Sequence, residues 1–492
     1  MQLTLENLGM LNYLRGVFTQ PAGRWDGFYP ALSPSMNFAL RYQLAFGVYA
    51  LAAMAQRTPA YRAPYAEAMR AAIERMMSVE AWGYWRAPGE DGAGALASSG
   101  HVAVLVSPHR RAEAGPPSDP IARDNLQFSG HLSVMLGLYE KLTGDTRYDS
   151  PFTLRDPESG VEYTYTHGEV AERIHEQMQG NTFGGVCCEP GMAYVPCNNY
   201  ALGSNTLHDA LHGTDYSRGN ARWLKTVRDR MVLKGPAVRG VFGTAYMKDL
   251  KLATPVAFNF TDAWGLAFLL PFDRPLVRRL YGRFRKRGVE RVDGAARVGS
   301  SSMSERMEIS DVGINTGFGA ILAQGIGDRS LYAAFRRYAE ASLGATWDGD
   351  RYSYAGAPRT LNTTALFALA ANIEPGGADF ARLFTAPPDR ALLSAPYLAS
   401  VDAPSGSVGV TRAEYDSATR MLTIALHQVG SPAALRDARP IDAALAIANA
   451  GESPGVEVGG AVVFPERTED GRLRVTITVS PEGDAVCIVQ AT

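Results

Sequence analysis

The chain has 492 residues, room for one large domain and a smaller one, and its 46% apolar and 20% charged residues are the balance of an ordinary globular protein. A net charge of −2 gives no electrostatic support for a nucleic-acid or anionic-membrane partner, and no window approaches the run of about eighteen apolar residues that a membrane span requires. Four cysteines are too few for a disulfide framework, and Met1–Asn7 lacks the basic and apolar regions of a signal peptide, so free thiols in a cytoplasmic protein are expected.

Residues 1–395 carry apolar side chains at helical spacing, first in Tyr42–Met54 and Tyr65–Met77. One pattern recurs: an apolar helix rich in small residues, a tight turn, then an aromatic opening a more polar helix. Its copies are Pro59-Ala60-Tyr61, Gly144–Tyr148 and Gly213–Tyr216, with looser ones at Asp273/Tyr281, Gly327-Asp328/Tyr332 and Gly377–Phe380. Glycine suits the end of one helix, and Asp or Thr the cap of the next. Six such turns predict six helix pairs closing into a toroid, an (α/α)6 barrel, with segments such as Gly265–Leu270 and Gly313–Gly325 on the inside. An irregular helical bundle is the plainer reading. The segment Asp91–Ile121, rich in Gly, Pro and Ser, is expected to leave the barrel as a lid or an edge-packing loop. From Ser405 on, β-rich runs alternate with turns, and residues 396–492 are expected to form a small β-sandwich.

The stretch Gly184–Asn199 holds three cysteines, Cys187, Cys188 and Cys197, and two prolines, Pro190 and Pro196. Each proline removes a backbone donor, so an irregular loop carrying reactive side chains is expected there. Small buried hydrophobes are the ordinary fate of free cysteines. A metal site of Cys188, Cys197, His131 and Glu189 is weakly supported, because no CxxC element is present. His131 lies on an apolar helical face, where a satisfied core histidine is the ordinary outcome. Tyr42, Tyr194, Phe260, Trp264 and Phe318 fall on segments able to line a barrel, as core packing or as the wall of an apolar substrate site. Asp262 and Asp311 are acids among apolar neighbours; burial would turn either into a proton donor, and a helix-capping role is the alternative. No phosphate-binding loop, dinucleotide fingerprint, nucleophile elbow or Asp-rich diphosphate motif is present.

Three stretches resemble the linalool dehydratase-isomerase family: Asp124–Leu132 continuing through Gly137-Leu138-Tyr139 to Arg147-Tyr148; Ile174-His175 through Cys188-Glu189-Pro190 to Cys197-Asn198; and Leu211–Tyr216. Weaker likeness covers Asn12-Tyr13, Arg41-Tyr42 to Ala45-Phe46, Trp82-Gly83 with Trp85, and Ala263-Trp264, and the whole spans most of residues 10–390. The resemblance implies an (α/α)6 barrel around an apolar cavity, no metal and no organic cofactor. It also implies reversible dehydration of a tertiary allylic terpene alcohol and isomerisation to a primary alcohol. It places catalytic roles on Cys188, Cys197, His131 and Tyr42; Gln127, in the same histidine stretch, is a candidate for substrate binding. Three positions depart from the family: its aspartate near the N-terminus, donated across a subunit interface, falls at Arg15, and two tyrosines fall at Pro21 and Phe260. Asp262, Asp311 and Asp124 are the candidates for the missing acid, and whether the chain forms a homo-oligomer is left open. The expected function is an acid–base lyase, isomerase or cyclase on a small apolar substrate. The alternatives are a carbohydrate-active barrel enzyme and a non-catalytic terpenoid or lipid carrier.

Overall fold

The structure is a computed structural model that describes residues 2–29, 39–85, 117–189, 191–236, 238–300, 311–403 and 407–491. Most of the Asp91–Ile121 excursion, and Pro190, lie outside the described residues. Among the described residues the longer helices of the first part of the chain are α1 (Leu5–Phe18), α2 (Leu40–Ala55), α3 (Ala63–Met76), α4 (Leu126–Thr143), α5 (His167–Gly180), α6 (Val195–His212), α7 (Asn220–Thr226), α8 (Asn259–Leu269), α9 (Arg274–Arg287), α10 (Val312–Ile326), α11 (Arg329–Ser342), α12 (Thr360–Ala371) and α13 (Ala378–Thr385).

Six of them touch in a closed cycle: α2 packs on α4, α4 on α6, α6 on α8, α8 on α10, α10 on α12, and α12 returns to α2. These are the helices buried on most sides; α2 buries fifteen consecutive residues, Arg41–Ala55, and α10 buries Gly313–Gly325. A helix buried on every side has neighbours on every side. The partners α3, α5, α9 and α11 instead bury one stripe each, as in α11, where Leu331, Ala334, Phe335, Tyr338 and Ala339 face inward. The expected turns supply the boundaries. Gly144, Gly213 and Gly327 end α4, α6 and α10 with positive φ, and Asp273 and Asp328 cap α9 and α11 by accepting from the backbone N–H three residues on.

One expectation needs correction. Cys197, Asn198 and Asn199 are in the first turn of α6 and not in an irregular loop, because Pro196 sits at the helix start, where its missing N–H has no bond to lose.

Nine antiparallel strands follow: β1 (Tyr397–Asp402), β2 (Val408–Asp416), β3 (Met421–Gln428), β4 (Ile441–Ala448), β5 (Gly455–Val458), β6 (Ala461–Val463), β7 (Glu466–Arg467), β8 (Leu473–Val479) and β9 (Ala485–Gln490). They form two sheets, ordered β1-β4-β8-β7 and β2-β3-β9-β5-β6. Alternate residues of both, among them Ile424, Leu445, Ile477 and Val489, meet in one apolar cluster, as two face-packed sheets require. Backbone bonds from Leu3 N–H to Thr411 O (2.9 Å) and from Ala60 N–H to Ala413 O (3.0 Å) fasten the second strand to the helical part.

Candidate active site

The cysteine stretch is held by its own polar side chains. Asn181 ends α5 and donates to Gly185 O (2.8 Å), while Asn198 accepts from Val186 N–H (2.8 Å) and donates to Val186 O (2.9 Å). The Asn198 amide thus pairs with the loop as a neighbouring strand would. Gly184 has φ +74° and lies against Arg222, and a methyl group on Gly185 would lie 2.6 Å from the Trp223 ring, so the two glycines let the backbone approach the start of α7 closely. Cys188 N–H bonds Met192 O and Met192 N–H bonds Glu189 O, both at 2.9 Å, and this turn folds Cys188 back over the start of α6. There the Cys188 thiol comes next to the thiol of Cys197, and both are buried and unoxidised. Burial first, and then the neighbouring Cys197 thiol, push the Cys188 thiol well above its ordinary value, so it is protonated at neutral pH. Cys187 turns the other way, toward Asp124 and Lys248, and burial raises it to about 12.

Five of the six ring helices send aromatic or polar side chains into one cluster that Tyr42 and Tyr200 connect to the thiols. Tyr42, Phe46 and Tyr49 recur at helical spacing on α2, Gln127 and His131 on α4, and Trp264 and Phe268 on α8. Tyr42 donates to Gln127 Oε1 (3.0 Å), and the buried guanidinium of Arg41 donates to the same oxygen (3.1 Å). Two donors on Oε1 fix the amide orientation, and Gln127 Nε2 is buried without a hydrogen-bond partner. His131 is fully buried; its Nδ1 meets the Tyr49 hydroxyl at 2.8 Å, its ring lies 3.9 Å from that of Tyr200, and its Nε2 has no partner. Burial, then the nearby charge of Arg41, holds His131 well below its ordinary value, so the imidazole is neutral and able to accept a proton. Trp264 donates to the Tyr200 hydroxyl (2.7 Å), stacks on Phe318 with ring centres 5.2 Å apart, and stands edge-on to Tyr42 at 5.4 Å. Both thiols raise the Tyr42 hydroxyl, behind burial as the main cause and against Arg41, which puts them beside that ring.

The acids separate clearly. Glu189 is buried next to the thiols, acts on the hydroxyls of Tyr84 and Tyr194, and is raised to about 7 by burial, with Arg41 pulling it partly back. Asp262 is also raised to about 7 by burial, but its Oδ1 accepts from Phe242 N–H (2.8 Å) and the charges near it are Arg287 and Arg283 of α9. It precedes Trp264 by two residues, about 200° around the helix, and so faces away from the ring interior. Asp311 caps α10 through Ile314 N–H (2.9 Å) and pairs with Arg359 (3.3 Å). Asp124 pairs with Arg123 (3.4 Å) on the Cys187 side. Phe260 is half-buried and stacks on Phe258 at 5.5 Å. Tyr194 caps α6 beside Glu189 and both thiols.

The structure therefore gathers His131, Cys188, Cys197, Tyr42, Gln127, Tyr194, Trp264 and Phe318, and leaves Asp262, Asp311 and Phe260 elsewhere. It adds Glu189, Arg41 and Tyr49. Glu189 entered the sequence reading only as a weak metal ligand. Among the described residues a single set of His, Cys, Asp and Glu side chains converges as metal ligands would, and it does not include Cys188, Cys197, His131 or Glu189. Arg41 had a signal in being the lone charge in α2, and Tyr49 in completing the stripe of Tyr42 and Phe46.

A sequence model of the family described as linalool dehydratase/isomerase matches residues 41–359. Solved structures of similar shape include a polysaccharide lyase (12% identity, TM-score 0.42, covering 74% of this chain and 96% of that one). An α-1,6-mannanase from Salegentibacter sp. HEL1_6 matches at 10% identity and TM-score 0.42 over 74% and 97% of the two chains. Dfg5 from Chaetomium thermophilum, in complex with glucosamine, matches at 13% and 0.42 over 78% and 91%. Among the described residues no helix is long and apolar enough to cross a membrane.

Proposed function

The chain belongs to the linalool dehydratase/isomerase family, and on that premise we propose that it is an acid–base lyase or isomerase that dehydrates, isomerises or cyclises an apolar, terpenoid or allylic-alcohol substrate, its proton transfers made by side chains. In this reading residues 1–395 are an (α/α)6 catalytic barrel and residues 396–492 an accessory β-sandwich. One observation carries the chemistry: two adjoining buried thiols, that of Cys188 neutral, share a buried aromatic cluster with a neutral histidine and a protonatable acid.

Glu189, about half protonated near neutrality, gives its proton to the substrate hydroxyl, which Tyr42 orients. The C–O bond breaks, water leaves, and an allylic cation remains. The carboxylate left behind faces Arg41, which offsets its charge. The cation lies against the rings of Tyr42, Phe46, Trp264 and Phe318, whose π-faces favour positive charge. His131, through Nε2, with Cys197 beside it, removes a proton from the adjacent carbon to form the alkene and returns it to Glu189. Cys188 lies beside the reacting carbon and can trap the cation as a thioether, its thiol proton passing to the neutral His131 as the C–S bond forms. Return of water to the far end of the allyl system gives the isomeric alcohol. A glycosidase-type site would need two convergent carboxylates, and among the described residues this cluster contains Glu189 alone.

The test is product analysis of a prenyl-alcohol library, separating water loss from isomers of equal mass. Cys188→Ala and Cys197→Ala should each lower kcat/KM about 10²–10⁴-fold with the helical CD spectrum intact. Full activity in both variants would overturn the assignment, and saturable binding of a ligand that stays unchanged would make the protein a carrier.

A further inference from the structure

A second cluster of titratable side chains lies at the other ends of α4 and α6. Glu140 is in the last turn of α4, His212 is the last residue of α6, His167 is the first of α5, and Asp149 closes the short 3-10 turn Arg147–Asp149. One ligand atom from each lies within 4.8 Å of those of the other three. Glu140 Oε2 is 3.2 Å from His212 Nε2 and 3.7 Å from His167 Nδ1, and Asp149 Oδ1 is 4.0 Å from His212 Nε2. Bonds of about 2.0–2.1 Å to a tetrahedral zinc ion put neighbouring ligand atoms about 3.4 Å apart, and the three separations bracket that edge.

His167 supplies a second, independent sign. It is 1% exposed, and its Nδ1 has no hydrogen-bond partner, since 3.7 Å to Glu140 is beyond hydrogen-bond reach. Leaving a buried imidazole nitrogen unpaired is costly, and an ion central to the four atoms would satisfy it. The environment holds the rings in place. His208 packs 5.4 Å from the His167 ring and 4.5 Å from the His212 ring, and its own Nδ1 is engaged by Thr214 Oγ1 at 3.0 Å. Asp149 and His212 reach solvent, so an ion has an entry path.

We propose that Glu140, Asp149, His167 and His212 bind one divalent first-row transition ion, with zinc the best match to two imidazoles and two carboxylates at these separations. The ion would staple the start of α5 to the ends of α4 and α6. Four protein ligands fill a tetrahedral shell and make the site structural. Its position agrees: Glu140 lies nine residues beyond His131 on α4, about 13 Å along the axis, and His212 lies about 22 Å along α6 from Cys197. This leaves the reading of the thiol cluster as a metal-independent site untouched.

Chelator-treated full-length protein titrated with Zn²⁺ and with Co²⁺ tests the assignment without any activity assay. One ion should bind per chain, Co²⁺ should show the visible bands of a tetrahedral N/O site, and Zn²⁺ should raise Tm. Glu140→Gln and His212→Ala should each weaken binding at least about tenfold. His175→Ala, whose ring stacks on Tyr216 at 4.6 Å outside the set, should bind as the parent does. If a variant fails to fold, hyperfine-shifted NMR signals from two imidazoles in the Co²⁺-loaded parent decide the question. Absence of saturable, stoichiometric binding by the parent, or parent-like affinity in both E140Q and H212A, would overturn the proposal.

Discussion

Replacing Glu189 by Gln separates a working acid from a merely buried one. Burial raises this carboxyl from 4.5 to about 7, a difference that corresponds to about 3 kcal/mol. The folded state binds the proton more tightly than the unfolded chain. The linked stability is therefore whole below about pH 4.5, declines as pH rises, and is gone above about pH 7. Glutamine does not titrate, so the E189Q variant should gain on the parent across that interval and stand about 3 kcal/mol more stable at pH 8 in urea unfolding. Turnover should move the opposite way. Loss of the acid should lower the dehydration rate about 10²–10⁴-fold, and the parent's rate should fall about tenfold per pH unit above about 7. Asp262→Asn is the control: it has the same burial and keeps its acceptor for Phe242 N–H, so it should gain stability at pH 8 and keep its turnover. Parallel stability curves for E189Q and the parent would refute the burial argument. Full turnover in E189Q would refute the catalytic role.

Tyr49→Phe removes the one hydrogen-bond partner of His131 Nδ1, and urea unfolding should show a loss of about 1–3 kcal/mol together with reduced turnover as the tautomer is released. Gly185→Ala drives a methyl group to 2.6 Å from Trp223 and 2.8 Å from Asn198 Oδ1; a melt should show destabilisation of about 1–3 kcal/mol, with activity falling as Cys188 shifts. Arg57→Ala removes the charge partner of Asp379, with which it forms a buried pair at 2.5 Å, leaving the carboxylate only the Glu374 and Phe380 N–H groups, and chemical unfolding should register about 3 kcal/mol.

The helical repeat was readable because a glycine at a helix end and an aspartate at the next start are local signals, and Gly327-Asp328 does both jobs within two residues. The stripe of Tyr42, Phe46 and Tyr49 was equally open to a spacing argument. The helical start at Pro196 was missed because a proline reads as a breaker unless its position relative to the helix end is known. The identity of the acid was hidden for a different reason. Asp262 and Glu189 are both buried acids with the same raised value, and only their orientation, one toward α9 and the other toward Arg41, tells them apart. Arg41 is distant from Glu189 in sequence, and no local pattern joins them. Likewise, His167 and His212 meet only because α5 and α6 pack side by side.

The closed cycle of helices also constrains how the chain is made. The flank of α2 that packs on α12 has no partner until Thr360–Ala371 has been synthesised. At about 5–20 residues per second the interval is roughly 15–60 s, long enough for an apolar helix to meet other chains. The Arg57–Asp379 pair joins the same two ends of the ring, so Arg57 also waits for its carboxylate until late in translation. A C-terminal truncation before α12 would therefore leave an open, sticky arc rather than a smaller folded protein, and a chaperone that shields α2 would act on the nascent chain before closure.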